Sequence, residues 1–182
     1  MNIVFLRHGE AEGRKDTGDF VKDDLERRLT QRGREQVLTD LGRFDLVVSS
    51  PAERAKETAR IAGRMNPIII NSLSTHLWDG DWESVDSCFV NRGNISLHEM
   101  YDEINGIQLA AVKKIKEEAM RETEELVKKI GKDEPRVLVA GHAMFLPALA
   151  EAFALKDGNS RDKINNLVLG EGESFSYFSS PR

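Results

Sequence analysis

The stretch Met1–Glu10, MNIVFLRHGE, contains a short apolar run that stops at Arg7-His8-Gly9. The run Ile3–Leu6 is too short for a helix and rich in β-forming residues, so it predicts a strand buried on both faces. Such strands are typical of parallel sheets covered by helices, where ligands bind at the carboxyl ends of the strands. We therefore expect Arg7 and His8 at the functional edge of the sheet, with Gly9 allowing the backbone close to a ligand.

Two further apolar runs have the same character. Arg136–Ala140 predicts a second buried strand and ends in Gly141-His142, and Asp45–Ser49 predicts a third. If these strands are neighbours of the first, His142 and the residues after Ser49 lie beside His8 at one edge of the sheet.

The segment after Ser49, SPAERA, is typical of a helix start. Ser50 is the expected N-cap and Pro51 the expected first helical residue, which places Arg54 in the first turn. Two imidazoles and two guanidiniums would then meet a helix N-terminus. That combination predicts a pocket for a dianionic phosphoryl group.

The rest of the chain alternates between predicted helices, strands and polar loops. Thr30 is the expected N-cap of the first helix, and Glu10–Glu26 is expected to form a surface loop at the mouth of the site. Helices are predicted over Gln31–Leu41, Pro51–Arg64, Leu97–Ile130 with a break at Gly106, and Met144–Leu155. A further strand is predicted over Ile68–Ile70. The last two strands, Ile164–Leu169 and Ser174–Phe178, are predicted to form an antiparallel hairpin at a sheet edge.

Composition narrows the class of protein. The chain has 182 residues, 40% of them hydrophobic, which suits one α/β domain over residues 1–182. The net charge of −5 argues against a nucleic-acid partner. No apolar stretch approaches the ~20 residues needed to span a membrane, no signal peptide is evident, and the single cysteine, Cys88, forms no internal disulfide. We therefore expect a cytoplasmic protein.

Taken together, the motifs resemble those of the histidine phosphatase superfamily, which includes cofactor-dependent phosphoglycerate mutases, acid phosphatases and short phosphohistidine phosphatases. The matching segments are Leu6–Glu10, Arg28-Leu29-Thr30 followed by Gly33, Ser49–Ala59, and Gly141-His142. They occur in the family's order and span nearly the whole chain. The resemblance implies a phosphoglycerate mutase-like, three-layer α/β/α domain with a mostly parallel sheet and an antiparallel edge.

The resemblance also implies a mechanism. His8 would attack phosphorus and become phosphohistidine, while Arg7 and Arg54 bind the phosphoryl oxygens. Nearby positive charge would keep the His8 ring neutral, and a hydrogen bond from its other nitrogen, for example to the Gly9 carbonyl, would fix the tautomer. His142 and Ala143 would contact the phosphate. Neither a metal nor another cofactor is expected.

The proton donor to the leaving group is less well defined. The family usually has an acid in a Leu-x-Glu pattern, and Leu77–Glu83 resembles that segment in a contracted form. Matching Leu77 makes Asp79 the preferred acid, with Asp81 and Glu83 as alternates. Matching Leu73 instead puts Thr75 at that position and leaves no acid. Short phosphohistidine phosphatases act without this acid, because the nitrogen of a phosphoramidate leaves more easily.

Several functions remain open at this point. The mutases have a hydroxyl residue and Trp-Asn after Arg-His-Gly, whereas this chain has Glu10–Gly13, so hydrolysis of a small phosphorylated metabolite is preferred. The alternatives are a phosphohistidine protein phosphatase, a mutase-type phosphotransferase, and a non-catalytic phosphate-binding module. The sequence shows no typical metal-hydrolase or nucleotide-binding motif. His76 and His98 are interpreted as surface or loop residues. The substrate and oligomeric state are not predicted.

Overall fold

Within the residues that the structure describes, five strands form one sheet in the order β3-β2-β4-β1-β5. The structure is a computed structural model, described over residues 1–37, 40–74, 76, 94–104 and 106–179. All neighbouring strands are parallel except β5, which runs antiparallel to β1 at one edge. The strands are β1 (Asn2–Arg7), β2 (Leu46–Ser49), β3 (Ile68–Ile69), β4 (Arg136–Gly141) and β5 (Ser174–Phe178).

Helices connect these strands and cover both faces of the sheet. They are α1 (Phe20–Leu25), α2 (Gln31–Gln36), α3 (Glu53–Gly63), α4 (Leu97–Glu103), α5 (Gly106–Ile130), α6 (Phe145–Asp157) and α7 (Asp162–Asn165), with a 3₁₀ turn at Asn71–Leu73. None of the described helices is both long enough and apolar enough to cross a membrane.

The alternation of side chains along β1 builds two separate cores. Ile3 and Phe5 belong to the cluster that α4, α5 and α6 cover, whereas Val4 and Leu6 pack in the cluster formed with α3 and with the residues that flank α2. Alternate residues of β2 and β4 divide in the same way, because successive side chains of a strand point to opposite faces. The predicted three-layer α/β class with an antiparallel edge is confirmed.

The sequence signals predicted the helix boundaries better than the buried face of the helices. Thr30 is the N-cap of α2 and its hydroxyl accepts a hydrogen bond from the Gly33 amide, at 2.9 Å, as predicted. The expected helix over Leu97–Ile130 is divided before Gly106, also as predicted. The spacing of Ile104, Ile107, Ala111 and Ile115 predicts one apolar stripe along this helical region, but Ile107 is 75% exposed. The break before Gly106 changes the rotational phase between α4 and α5. Apolar spacing counted across the break therefore does not predict which residues of α5 are buried.

Two loop and strand predictions were wrong. Ile164–Leu169 is not a strand: α7 occupies its start and irregular backbone its end. The turn that follows bonds to the end of β1 instead, through Gly172 to the His8 carbonyl and through the Glu173 carbonyl to Arg7. The expected surface loop Glu10–Glu26 contains α1, capped by the Asp19 side chain, which accepts from the Lys22 amide.

Candidate active site

Three neighbouring strands bring the predicted residues together. Because β2, β4 and β1 are adjacent and parallel, their carboxyl ends lie side by side. His8 follows β1, His142 follows β4, and Arg54 lies in the first turn of α3, after β2. The centroids of the two imidazole rings are 5.2 Å apart. All three side chains are buried.

The ring of His8 is held in one tautomer. Its Nδ1 lies 2.8 Å from the Gly9 carbonyl oxygen, which only accepts, so Nδ1 carries the proton. The other nitrogen, Nε2, accepts a hydrogen bond from Arg54 Nε at 3.2 Å. Burial, reinforced by the charge of Arg54, lowers the pKa of His8 to about 3. The ring is therefore neutral, with the lone pair of Nε2 directed to the pocket side where Arg54 lies.

The backbone beside His8 is fixed by contact between two glycines. A Cβ added to Gly9 would overlap the Gly33 carbonyl, and one added to Gly33 would overlap the Glu10 carbonyl. The Thr30 amide also donates to the Glu10 carbonyl, at 3.0 Å. The start of α2 thus packs directly against the loop that carries His8, at a distance that only glycine allows.

His142 contacts both the strand end of β2 and Arg54. Its Nε2 lies 2.9 Å from the Ser50 hydroxyl and its Nδ1 lies 3.5 Å from Arg54 Nη2. Because the guanidinium only donates, Nδ1 is the acceptor and Nε2 carries the proton. Burial, together with the charge of Arg54, lowers the pKa of His142 well below its usual value, so this ring too is neutral.

Ser50 was predicted as the helix N-cap, and this is wrong. The N-cap of α3 is Ala52, without a side-chain cap, and Pro51 lies before the helix rather than at its first position. Ser50 is buried and its hydroxyl bonds to His142 instead. The Ser50 hydroxyl lies next to the His142 imidazole because the two residues follow the paired strands β2 and β4. A capping rule considers only residues close in sequence and therefore does not include this contact.

Arg54 is the most extensively bonded residue of the site. Besides its bond to His8, its Nη1 donates to the Asp24 carbonyl at 2.5 Å and its Nη2 donates to Asp24 Oδ2 at 2.9 Å. Its backbone amide donates to the Arg27 carbonyl at 3.0 Å. Burial lowers the pKa of Arg54, and the Asp24 carboxylate opposes that shift. Arg54 thus links α3 to the end of α1.

Arg7 directly precedes His8 in the chain, and its hydrogen-bond acceptors are neutral. Its Nη1 donates to the Leu169 carbonyl and to Asn94 Oδ1, both at 2.6 Å. Burial lowers the pKa of Arg7, while the negative charges of Glu171 and Glu173 act to raise it.

The sequence missed two residues of this site. Asp24 accepts from Arg54, and His76 Nε2 lies 2.8 Å from Asp24 Oδ2. The His76 side chain is only 5% exposed, so its interpretation as a surface or loop residue was wrong, whereas His98 is 65% exposed as expected. Asp19 before an apolar residue was the available signal for the helix that carries Asp24. Nothing in the sequence around His76 indicated its partner.

The remaining predicted residues are placed only in part. Ala143 is half-buried and directly follows His142, before α6. Asp79, Asp81, Glu83, Thr75 and Cys88 lie outside the described residues. In the parts of the chain that are described, no group of three or more His, Cys, Asp or Glu side chains is arranged to hold a metal ion.

Comparison with known families agrees with this geometry. The model of the histidine phosphatase superfamily (branch 1) matches residues 3–168. The chain therefore belongs to the histidine phosphatase superfamily, and the class inferred from its motifs, a phosphoric monoester hydrolase, is confirmed. No curated protein matches the chain in sequence.

Solved structures share the fold at low identity. A phosphoserine phosphatase from Entamoeba histolytica, in complex with 3-phosphoglyceric acid, is 20% identical with a TM-score of 0.60, covering 97% of this chain and 90% of its own. The α-ribazole phosphatase from Shigella flexneri is 22% identical with a TM-score of 0.57, over 97% and 89%. A mycobacterial glucosyl-3-phosphoglycerate phosphatase is 20% identical with a TM-score of 0.59, over 96% and 88%.

Proposed function

We propose that the protein hydrolyses phosphomonoesters through a phosphohistidine on His8, without a metal ion. The observation that carries the proposal is the state of the His8 ring: Nδ1 is protonated and bound to the Gly9 carbonyl, which leaves Nε2 as a neutral nucleophile beside Arg54. A nucleophilic imidazole needs an unprotonated nitrogen, and here burial and positive charge maintain it.

The reaction has two steps. In the first, the hydrogen bond from Arg54 Nε passes from His8 Nε2 to a phosphoryl oxygen, the freed lone pair of Nε2 forms a bond to phosphorus, the bond from phosphorus to the ester oxygen breaks, and the leaving alcohol takes up a proton. In the second, water attacks phosphorus and loses a proton, the P–N bond breaks, and His8 becomes neutral again. Arg7 and Arg54 stabilise the negative charge on the phosphoryl oxygens in both steps, and these fixed cations supply what a metal ion provides elsewhere.

His142 is proposed as a further phosphate contact. Its ring lies beside His8 and within reach of Arg54, and a dianion bound between them would favour its protonation. The backbone of Ala143, next to it, is proposed to contact the same group. Asp79 remains the preferred proton donor to the leaving alcohol, with Asp81 and Glu83 as the alternates, or no acid at all.

A small phosphorylated metabolite is the proposed substrate. The similar folds belong to an α-ribazole phosphatase, a phosphoserine phosphatase and a glucosyl-3-phosphoglycerate phosphatase, and each of these names refers to a small metabolite. This favours a metabolite over a phosphohistidine protein. The residues after Arg7-His8-Gly9, Glu10–Gly13, lack the mutase pattern, and hydrolysis is therefore preferred over phosphoryl transfer to a second metabolite.

The test is turnover of p-nitrophenyl phosphate by the wild type and by His8→Ala. We expect His8→Ala to abolish turnover, whereas His98→Ala, which changes an exposed histidine, should keep it. A brief alkaline quench should leave labelled phosphate on the peptide that contains His8. Retention of more than about a tenth of kcat in His8→Ala, a barrier change below ~1.4 kcal/mol, would exclude His8 as nucleophile. Loss of activity in EDTA, restored by Zn²⁺ or Mg²⁺, would replace the proposal by a metal hydrolase.

A further inference from the structure

The carboxylate of Asp24 is the focus of a buried charge cluster that the proposed mechanism does not use. Its Oδ2 accepts from Arg54 Nη2 at 2.9 Å and from His76 Nε2 at 2.8 Å, and its Oδ1 accepts from Arg27 Nη1 at 3.2 Å. The side chain is 11% exposed. A carboxylate in such a position is stable only because donors surround it.

These contacts fix the orientation of Arg54. Its Nη1 bonds to the backbone carbonyl of Asp24 and its Nη2 to the side chain of the same residue. Two bonds from the two ends of a planar guanidinium define its plane, so the third donor, Nε, is aimed at His8 Nε2. The geometry at the nucleophile therefore depends on Asp24, which lies on α1 and acts on His8 through Arg54.

The same carboxylate is an anion next to a pocket built for anions. Burial would raise the pKa of Asp24, but hydrogen bonds from His76 and Arg54 and the charge of Arg54 outweigh it and hold the pKa well below its usual range. Asp24 is therefore charged near neutral pH. A phosphate bound by Arg54 would share that guanidinium with it, and two anions on one cation repel each other.

We propose that Asp24 is a positioning residue with two linked effects: it holds Arg54 in line with His8, and its negative charge weakens the binding of product phosphate. The inference rests on the proposed function of this site. Arg7, Arg54 and Arg27 bring three positive charges to one end of the sheet, and a site with that charge alone would retain a dianionic product. Fast turnover needs the phosphate to leave, so the opposing charge assists release.

The test is Asp24→Asn, which keeps the shape of the side chain and removes its charge. Affinity for inorganic phosphate is measured by calorimetry, and kcat and KM with p-nitrophenyl phosphate. We expect phosphate to bind about tenfold more tightly, equal to about 1.4 kcal/mol, while kcat falls about tenfold. A purely structural role predicts weaker phosphate binding together with lower kcat. Unchanged or weaker phosphate binding in a folded Asp24→Asn variant would overturn the proposal.

Asp23 provides a matched control on the same helix. It is also buried, but its carboxylate bonds to the amide and hydroxyl of Thr17. Asp23→Asn makes the same change of charge one residue away, and should leave phosphate affinity within about twofold of the wild type. An equal tightening in Asp23→Asn would show that overall charge is responsible and would refute a specific role for Asp24.

A measurement on the wild type covers the case in which Asp24→Asn does not fold. In ¹⁵N-labelled protein, an Arg54 fixed by Asp24 should show a protected Nε–H resonance both without phosphate and with saturating phosphate. A resonance that is exchange-broadened until phosphate is added would refute the positioning role. Calorimetry and this resonance need no turnover, so an inactive wild type would defeat the proposed function without deciding the role of Asp24.

Discussion

Replacement of Arg54 by alanine should damage activity and stability through two separate contacts. Its Nε faces His8, the proposed nucleophile, and its Nη groups bond to Asp24. Its side chain is only 6% exposed, so no water replaces these bonds at low cost. In the reaction the Nε donor would pass from His8 to a phosphoryl oxygen and stabilise the transition state, whereas the second contact concerns a buried charge in the folded state.

The two losses have different sizes. Loss of one preorganised donor to developing negative charge costs about two to three orders of magnitude in kcat/KM. Removal of one partner of a buried ion pair costs about 3–5 kcal/mol. We expect the lower end, about 3 kcal/mol, because Arg27 and His76 remain bonded to the carboxylate of Asp24. With a urea m-value of about 2 kcal/mol/M, that is a midpoint shift of about 1.5 M.

A double variant separates the two effects. In Arg54→Ala/Asp24→Asn the charge left behind by the first change is removed, so about 1–2 kcal/mol of stability should return while activity stays low. Urea unfolding followed by circular dichroism and turnover of p-nitrophenyl phosphate give both quantities. Arg60→Ala, on an exposed position of α3, is the control and should change stability by no more than about 0.5 kcal/mol. A loss below about 1 kcal/mol in Arg54→Ala, or a double variant no more stable than the single one, would refute the argument.

Three further predictions follow from the site. His8 and His142 have pKa values lowered by burial, so between pH 7 and pH 5 the unfolded chain binds protons that the folded protein does not. The free energy of unfolding, measured with urea, should therefore fall by about 3–4 kcal/mol from pH 7 to pH 5. A free energy that does not change with pH would contradict neutral imidazole rings. Gly33→Ala should displace the loop beside His8 and lower kcat at least about tenfold. Gly13→Ala is the control and should keep kcat, because the space around its Cβ position is open. Equal activities of the two variants would contradict the packing argument. Asp79→Asn should slow hydrolysis of an alkyl phosphate far more than that of p-nitrophenyl phosphate, because only the alkoxide needs a proton, and equal effects would exclude Asp79 as the acid.

The sequence predicted those parts of the site that a strand end determines by itself. Arg7, His8 and His142 lie within two residues of the end of a buried apolar run, and the carboxyl ends of such runs meet at one edge of a parallel sheet. Arg54 follows from the short distance between the end of β2 and the first turn of α3. The family motifs then supplied roles that position alone does not define.

The parts that escaped prediction depend on contacts between distant segments. Asp24 lies in a highly charged stretch whose pattern is that of a surface loop, and its burial is explained mainly by Arg54 and His76, thirty and fifty-two positions further along the chain. The bond between Ser50 and His142 joins two strand ends, so the capping rule that was applied to Ser50 considered the wrong partner. Local sequence patterns indicate the propensity for a helix, strand or turn. The contacts of Asp24 and Ser50 depend instead on which distant segments the order of the strands brings together.

The two arginines beside His8 are held in unequal ways, and the difference bears on how phosphate is exchanged. Arg7 donates to two neutral oxygens, the Leu169 carbonyl and Asn94 Oδ1, and the carboxylates of Glu171 and Glu173 act on it through their charge. Arg54 is paired with the carboxylate of Asp24 and shares its charge with it. Because a charged acceptor competes with phosphate more strongly than a neutral one, Arg7 should contribute chiefly to the affinity for phosphate. Arg54, aligned with the nucleophile and partly neutralised, should contribute chiefly to the chemical step.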